Sequence, residues 1–213
     1  MPLAVTFPDS YQHIDYSLYE VLPMAITADF VMAVAVRPSK EQPRVRIANV
    51  QSEKFPSREF EIPTEGDIPI DASEHEWTNY FKSGLLGVSQ LLEKKHGKHF
   101  VSIGMDIMCD GTVPSGGGLS SSASFTCTSA LAVLTANGVD KVDKKELCEL
   151  AIVSERAVGV NSGGYVYTTS PYLHTNTASQ HGSSRLRLLP PRLRPLRDLQ
   201  ARARLYSARI PPH

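Results

Sequence analysis

The sequence of 213 residues predicts an α+β fold. Three observations support this prediction. Short apolar or alternating runs are typical of β-strands, three longer runs have helical periodicity, and a glycine-rich stretch joins a predicted strand to a predicted helix.

Three runs carry the strand prediction. Phe30–Val36 is rich in valine and alanine, and we expect it to pair with residues 25–29. Arg44–Val50 alternates between polar and apolar residues, and a short strand is expected at Phe60–Ile62. The third run, Phe100–Cys109, places every second apolar side chain on one side.

Three further runs predict helices. Trp77–His96 has apolar residues at spacings of three or four, and Gly97 is suited to end it. A helix of small residues is expected at about 120–137. The third helix is expected from Lys144 to about Val158, with Asp143 as its N-cap.

The composition is that of a soluble globular protein, with 41% hydrophobic and 21% charged residues. No run of about 18 apolar residues predicts a membrane span, and the N-terminus has no signal-peptide pattern. The cysteines, Cys109, Cys127 and Cys148, are odd in number and widely spaced. This spacing favours buried thiols in a reducing compartment over disulfides or a metal site, and we expect a cytoplasmic protein.

Charge and proline content divide the chain near Gly164. Residues 1–164 contain 14 Lys and Arg against 21 Asp and Glu, whereas residues 165–213 contain eight Arg, no Lys and one acidic residue. The second segment also has six prolines and no helical or strand periodicity, which predicts disorder. We expect a folded domain at 1–164 and an Arg/Pro-rich tail at 165–213. The abrupt change indicates a read-through intron or a frameshift.

The stretch Pro114–Ala123, which reads PSGGGLSSSA, predicts a phosphate-binding loop. Consecutive glycines let several backbone N–H groups point at one ligand, and serines follow where a helix N-terminus would favour phosphate oxygens. A flexible Gly–Ser connector is the alternative, although such connectors are usually longer. Neither the Walker A nor the Rossmann spacing fits, since no Lys follows the glycines. The candidate nucleotide-binding residues are Gly116, Gly117, Gly118, Leu119, Ser120, Ser121 and Ser122.

PSGGGLSSSA resembles the ATP-binding signature of the GHMP kinases, the family of galacto-, homoserine, mevalonate and phosphomevalonate kinases. His13–Tyr16 (HIDY), followed by Val21–Ile26 (VLPMAI), is similar to the galactokinase signature. Ser154–Gly164 (SERAVGVNSGG) is similar to the segment before the catalytic aspartate of galactokinases. The three matches cover residues from about 12 to 164. They imply a GHMP kinase N-terminal domain, with a mixed sheet and helices on one face, and ATP-dependent phosphorylation of galactose at its C1 hydroxyl.

The resemblance also implies roles for individual residues. ATP and Mg²⁺ are the implied cofactors, and galactose is the implied substrate. Ser122 and Glu155 would hold Mg²⁺ between the ATP phosphates, and an oxygen pair suits this hard cation. The residues that would line the galactose site are Gln12, His13, Asp15 and Tyr16.

Three positions depart from the family pattern. Gln12 replaces a Glu, and Thr6 replaces an Arg that stabilises the transferring phosphoryl group. Val166 stands where the family has the Asp that acts as base toward the sugar hydroxyl, and valine cannot accept a proton. The resemblance covers about two-fifths of a full-length enzyme. We therefore expect a truncated, catalytically impaired form with no catalytic residue and negligible galactokinase activity.

Two other functions are alternatives to this one. Non-enzymatic galactose and ATP sensors share the fold and bind a transcriptional repressor, but those regulators lack the Ser-Ala pair that Ser122 and Ala123 provide here. The arginines of the tail could bind nucleic acid. They are not interleaved with aromatic residues, however, and we expect no such binding.

Overall fold

The computed structural model describes residues 28–38, 41–116, 119–139 and 141–159, together with three strands of two residues each. Two of these short strands, β1 (Ala4–Val5) and β2 (Met24–Ala25), pair with each other in antiparallel fashion. The third, Arg187–Leu188, belongs to the main sheet. Apart from that strand, the expected disorder of 165–213 concerns residues outside those described.

The main sheet is mixed, as the family resemblance implies. Its five strands stand in the order β5-β4-β6-β3-β7. The β4–β6 and β3–β7 pairs are parallel, and the β5–β4 and β6–β3 pairs are antiparallel. The strands are β3 (Phe30–Arg37), β4 (Arg44–Asn49), β5 (Arg58–Glu61), β6 (Gly104–Gly111) and β7 (Arg187–Leu188).

Two details of the predicted strands are wrong. β3 pairs with β6 and β7 rather than with residues 25–29, because β2 pairs with β1 and residues 28 and 29 lead into β3 as irregular chain. β6 begins at Gly104 rather than at Phe100. The Ile103 N–H donates instead to the Asn137 Oδ1 atom at 3.0 Å, so a side chain at a helix end takes the place of a strand partner.

Three helices follow the predicted order: α1 (Asn79–His96), α2 (Ser121–Ala136) and α3 (Lys144–Glu155), which continues as a 3₁₀ turn at Arg156–Val158. α1 ends at Gly97 as predicted, with φ of 65° and its N–H bound to the Glu93 carbonyl at 2.8 Å. Asp143 caps α3 as predicted, because its carboxylate accepts the Glu146 N–H at 2.9 Å.

All three helices pack on one face of the sheet, around a continuous apolar core. Two glycines of α1 allow a close approach. A Cβ atom on Gly84 would lie 3.0 Å from the Thr126 carbonyl oxygen of α2, and one on Gly87 would lie 2.9 Å from Leu150 of α3. The core side chains that are almost completely buried include Met32, Val34, Val45, Ile47, Phe81, Leu85, Val88, Met105 and Ile107.

The opposite face of the sheet carries a small apolar patch and an ion-pair network. Asp106 of β6 accepts two hydrogen bonds of 2.7 Å from Arg46 of β4 and one of 3.2 Å from Arg37 of β3. This bidentate contact is the main reason that the pKa of Arg46 is raised. The network ties together the three neighbouring strands. Within the described part of the chain, no helix is long and apolar enough to cross a membrane.

Candidate functional site

The predicted loop begins after β6, where two hydrogen bonds between Thr112 and Asp29 hold the chain. The Thr112 N–H donates to the Asp29 carbonyl at 2.9 Å, and the Asp29 N–H donates to the Thr112 hydroxyl at 3.1 Å. Gly111 lies so close to β3 that a Cβ atom there would come within 2.7 Å of the Phe30 ring. The chain therefore enters the loop from a strand end that is held by its neighbour.

Two residues of the loop have a left-handed backbone. Gly116 has φ of 73°, and Ser120, immediately before α2, has φ of 54°. The left-handed region is costly for a residue with a Cβ atom, and such residues cluster at functional sites. Leu119, a candidate nucleotide-binding residue, is half-buried, and Gly117 and Gly118 lie outside the described residues.

The N-terminus of α2 has the polarity that an anion requires. Its first intrahelical bond runs from the Ser124 N–H to the Ser120 carbonyl at 3.0 Å, so the N–H groups of residues 121–123 have no acceptor within the helix. No acidic residue stands in the first turn. Ser121 and Ser122 are half-buried there. Backbone donors, hydroxyl groups and the positive end of the helix dipole coincide at this point.

An aromatic cluster lies beside the start of α2. The Trp77 ring stacks on Phe125 with centroids 5.8 Å apart and lies 5.8 Å from the Phe55 ring. Phe125 also contacts Phe30 at 4.7 Å. The Trp77 Nε1–H donates to the Pro56 carbonyl at 3.0 Å. Trp77 was predicted as part of a helical stripe, but it precedes α1 and fixes the β4–β5 connection against the second turn of α2.

A contact that the sequence analysis missed joins that connection to the loop. The Lys54 ammonium group donates to the Ser115 hydroxyl at 2.5 Å, across 61 residues of sequence, and lies 5.2 Å from the centre of the Phe55 ring. Nothing in the local sequence around Lys54 points to the loop. Only the parallel pairing of β4 with β6 brings the two strand ends together.

The predicted metal ligands stand on neighbouring helices. Glu155, the last residue of α3, is 1% exposed. Burial raises the pKa of Tyr80, in the first turn of α1, and the Glu155 charge raises it further. Burial raises the pKa of Cys127 in α2, and the charges of Cys148 and Glu155 raise it further. Ser122 stands five residues before Cys127, about 7.5 Å along the helix axis.

By chemistry the two residues suit Mg²⁺, because a carboxylate and a hydroxyl supply the oxygen ligands that hard cations prefer. Ser122 and Glu155 do not amount to a complete protein cage. Among the described residues, no group of three or more His, Cys, Asp or Glu side chains could hold a metal ion. An ion held partly by water and by ligand phosphates matches a site of this kind.

The thiols are unsuited to nucleophilic chemistry. None of the three cysteines forms a disulfide. Burial raises the pKa of the Cys109 and Cys127 thiols well above the usual value, and it raises the pKa of Cys148 to about 11. A thiol nucleophile needs the opposite shift.

The expected galactose-binding residues, Gln12, His13, Asp15 and Tyr16, lie outside the described residues, as does Val166 at the position of the family's catalytic aspartate. Their roles remain predictions. The described part of the site is therefore the loop, the N-terminus of α2, the aromatic cluster and the buried Glu155.

Two family models match the chain. The GHMP kinases N terminal domain matches residues 79–169, which include α1, the loop, α2 and α3. The galactokinase galactose-binding signature matches residues 12–36.

Curated relatives are galactokinases. The chain is 44% identical over 160 residues to a galactokinase of Candida parapsilosis and 42% identical over 159 residues to that of Saccharomyces cerevisiae. These matches cover 75% and 72% of this chain but 30% of each relative, so the chain spans under a third of their length. A galactokinase of Candida maltosa is 41% identical over 152 residues, which are 71% of this chain and 67% of that sequence.

Two solved kinase structures are similar to this chain. Lactococcus lactis galactokinase complexed with galactose matches with a TM-score of 0.57 and 26% identity, over 78% of this chain and 39% of that one. Methanococcus jannaschii mevalonate kinase matches with a TM-score of 0.61 and 16% identity, over 80% of this chain and 49% of that one. Because its sequence identity is 16%, the mevalonate kinase shows only that the two proteins share a fold.

Proposed function

This chain belongs to the galactokinase family of GHMP kinases, and on that premise we propose that it binds ATP at the loop Pro114–Ala123. The observation that carries the proposal is the N-terminus of α2. Its first turn has N–H groups without helical acceptors, two serines and no acidic residue, and it follows a residue with a left-handed backbone. A triphosphate is the ligand that matches these donors.

Ser122 and Glu155 would hold Mg²⁺, which supplies charge neutralisation to the phosphates when it is bound. Glu155 ends α3 and is 1% exposed, so a cation bound to its carboxylate would be shielded from water. The Ser122 hydroxyl stands in the first turn of α2, where the N–H groups orient the same phosphates. Phosphoryl transfer depends mainly on such positioning.

Galactose is the proposed sugar ligand. Residues 12–36 match the galactokinase galactose-binding signature, and the similar Lactococcus lactis enzyme has been solved with galactose. Gln12, His13, Asp15 and Tyr16 are the proposed contacts, and the C1 hydroxyl is the proposed acceptor in the family reaction. We place the protein in the cytoplasm because three thiols that form no disulfide suit a reducing compartment.

Transfer itself is proposed to be impaired in this chain. Val166 provides no carboxylate where the family resemblance implies the base, so the chain would bind ATP and galactose while transferring phosphate at a negligible rate. The same property would suit a sensor of galactose and ATP that acts through a transcriptional repressor. The Ser122–Ala123 pair, which such sensors lack, favours descent from an enzyme instead.

Titration calorimetry of the full chain with ATP and Mg²⁺ tests the proposal. We expect saturable one-site binding that weakens by about tenfold in Ser122→Ala, because a ligand to the ion is lost. Thr128→Ser is the control, since it changes a hydroxyl residue of the same helix two turns from the loop. A coupled assay of ADP release with galactose should show negligible turnover. Absence of ATP binding to the native chain would refute the binding proposal, and rapid galactose-dependent turnover would refute the impairment.

A further inference from the structure

The loop and the helix behind it contain no positive side chain. Residues 99–140 include neither Lys nor Arg. Nucleoside triphosphates carry several negative charges, and protein sites for them combine backbone donors with cationic side chains. Any cation beside this loop must therefore come from another part of the chain.

The connection between β4 and β5 brings a cationic side chain, Lys54, to this loop. The Lys54 ammonium group donates to the Ser115 hydroxyl, one residue before Gly116 with its left-handed backbone. We propose that Lys54 is a nucleotide-binding residue that contacts the phosphates held by the loop. It would supply the charge that a Walker-type loop takes from its own lysine. This inference rests on the proposed binding of ATP and adds a residue to that site.

Hydrogen bonds and an aromatic contact fix the backbone around Lys54. The Asn49 side chain accepts the Gln51 N–H at 2.8 Å, and the Gln51 carbonyl accepts the N–H groups of Lys54 at 3.1 Å and Phe55 at 2.9 Å. Phe55 lies against Trp77, which also binds the Pro56 carbonyl. A cation on a fixed turn reaches a ligand without reordering the backbone.

The Lys54 side chain is exposed and long enough to exchange the Ser115 hydroxyl for another hydrogen-bond acceptor. Its hydrogen bond to this neutral hydroxyl is weaker than one to a phosphate oxygen. When phosphate enters, the ammonium group exchanges the Ser115 hydroxyl for the anion. Because the contact is exposed to solvent, its contribution should fall as salt is added.

The test compares Lys54→Met with Lys98→Met in the full chain. Both changes remove one exposed positive charge, but Trp77 precedes α1 and Lys98 follows its far end, and α1 is about 27 Å long. The fluorescence of Trp77, the single tryptophan, reports on unfolding and on ligand binding near Phe55. Equal unfolding midpoints for native chain and variants establish that each has folded.

Three ligands separate the phosphates from the rest of the nucleotide: ATP, inorganic tripolyphosphate and adenosine. For Lys54→Met we expect about tenfold weaker binding of ATP and tripolyphosphate at low salt, unchanged adenosine binding, and partial recovery in Lys54→Arg. Lys98→Met should change each affinity by less than about twofold. The difference between the two variants should shrink at about 0.5 M salt.

Two results would overturn the inference while leaving ATP binding intact. One is equal ATP affinity in Lys54→Met and Lys98→Met. The other is a loss for Lys54→Met that Ser115→Ala reproduces in full, since the lysine would then only shape the loop. A native chain that binds neither ATP nor tripolyphosphate would instead refute the proposed function itself.

Discussion

The backbone of Ser120 adopts a conformation that is energetically unfavourable for a residue with a Cβ atom. Its φ of 54° lies in the left-handed region, where a side chain with a Cβ atom is disfavoured by about 1–2 kcal/mol. The sequence analysis identified Ser120 as a nucleotide-binding residue from the GGGLSSS pattern, but no pattern of residue types reveals a backbone angle.

Substitution of Ser120 tests whether that conformation matters for binding. Ser120→Gly should fold with a stability within about 1 kcal/mol of the native chain and should retain ATP affinity, because glycine adopts positive φ readily. Ser120→Val should lose about 1–2 kcal/mol in urea unfolding and bind ATP more weakly, since a β-branched residue resists this region. Equal affinity of the two variants for ATP would contradict the role assigned to the backbone.

Local signals predicted the helix ends well, and the sheet partners poorly. Gly97 and Asp143 act within a few residues of their own position, so the residue type is sufficient to predict the cap. The pairing of β3 with β6 joins residues that lie 67 to 81 positions apart, from Arg37 and Gly104 to Phe30 and Gly111. The Lys54–Ser115 contact depends on that non-local topology as well, which explains why the sequence revealed the glycine loop but not its lysine.

The packing of α1 against α2 depends on Gly84. A methyl group there would lie 2.9 Å from the Ser129 Cβ atom and 3.0 Å from both the Thr126 oxygen and the Ala130 nitrogen. Two of these neighbours are backbone atoms of α2, which cannot rotate away. The helix that carries the site would have to move.

Gly84→Ala should therefore destabilise the chain by about 1–3 kcal/mol in urea unfolding, although alanine is the better helix former by about 1 kcal/mol. Gln90→Ala, an exposed change in the same helix, serves as control and should stay within about 0.5 kcal/mol of the native value. A stabilised Gly84→Ala variant would show that the two helices are not in such close contact.

At the scale of the whole molecule, the Cys109 and Cys148 thiols are buried in the folded state and Cys127 is half-buried. The pKa of each is raised chiefly by burial, to about 11 for Cys148. An ordinary thiol has a pKa near 9, so above that pH the unfolded chain releases protons that the folded chain retains. By linkage, the stability contributed below pH 9 is lost as the pH rises through the folded-state values.

The urea midpoint of the native chain should thus fall between pH 9 and pH 11. Cys148→Ala should show a smaller fall, because one of the thiols is removed, and comparing the two separates this effect from lysine and tyrosine titration. At pH 8, iodoacetamide should modify the folded chain far more slowly than the chain in 6 M urea. Rapid modification of the folded chain would be inconsistent with buried thiols.

The hydrogen-bonded pair of Asp29 and Thr112 has a consequence for the thermodynamics of ligand binding. It fixes the chain just before the loop, and α2 fixes it again from Ser121, so both ends of the loop are held before a ligand binds. Each backbone residue that becomes ordered costs about 1–2 kcal/mol of conformational entropy. A loop held at both ends limits this loss to a short segment, which leaves more of the interaction energy to appear as affinity.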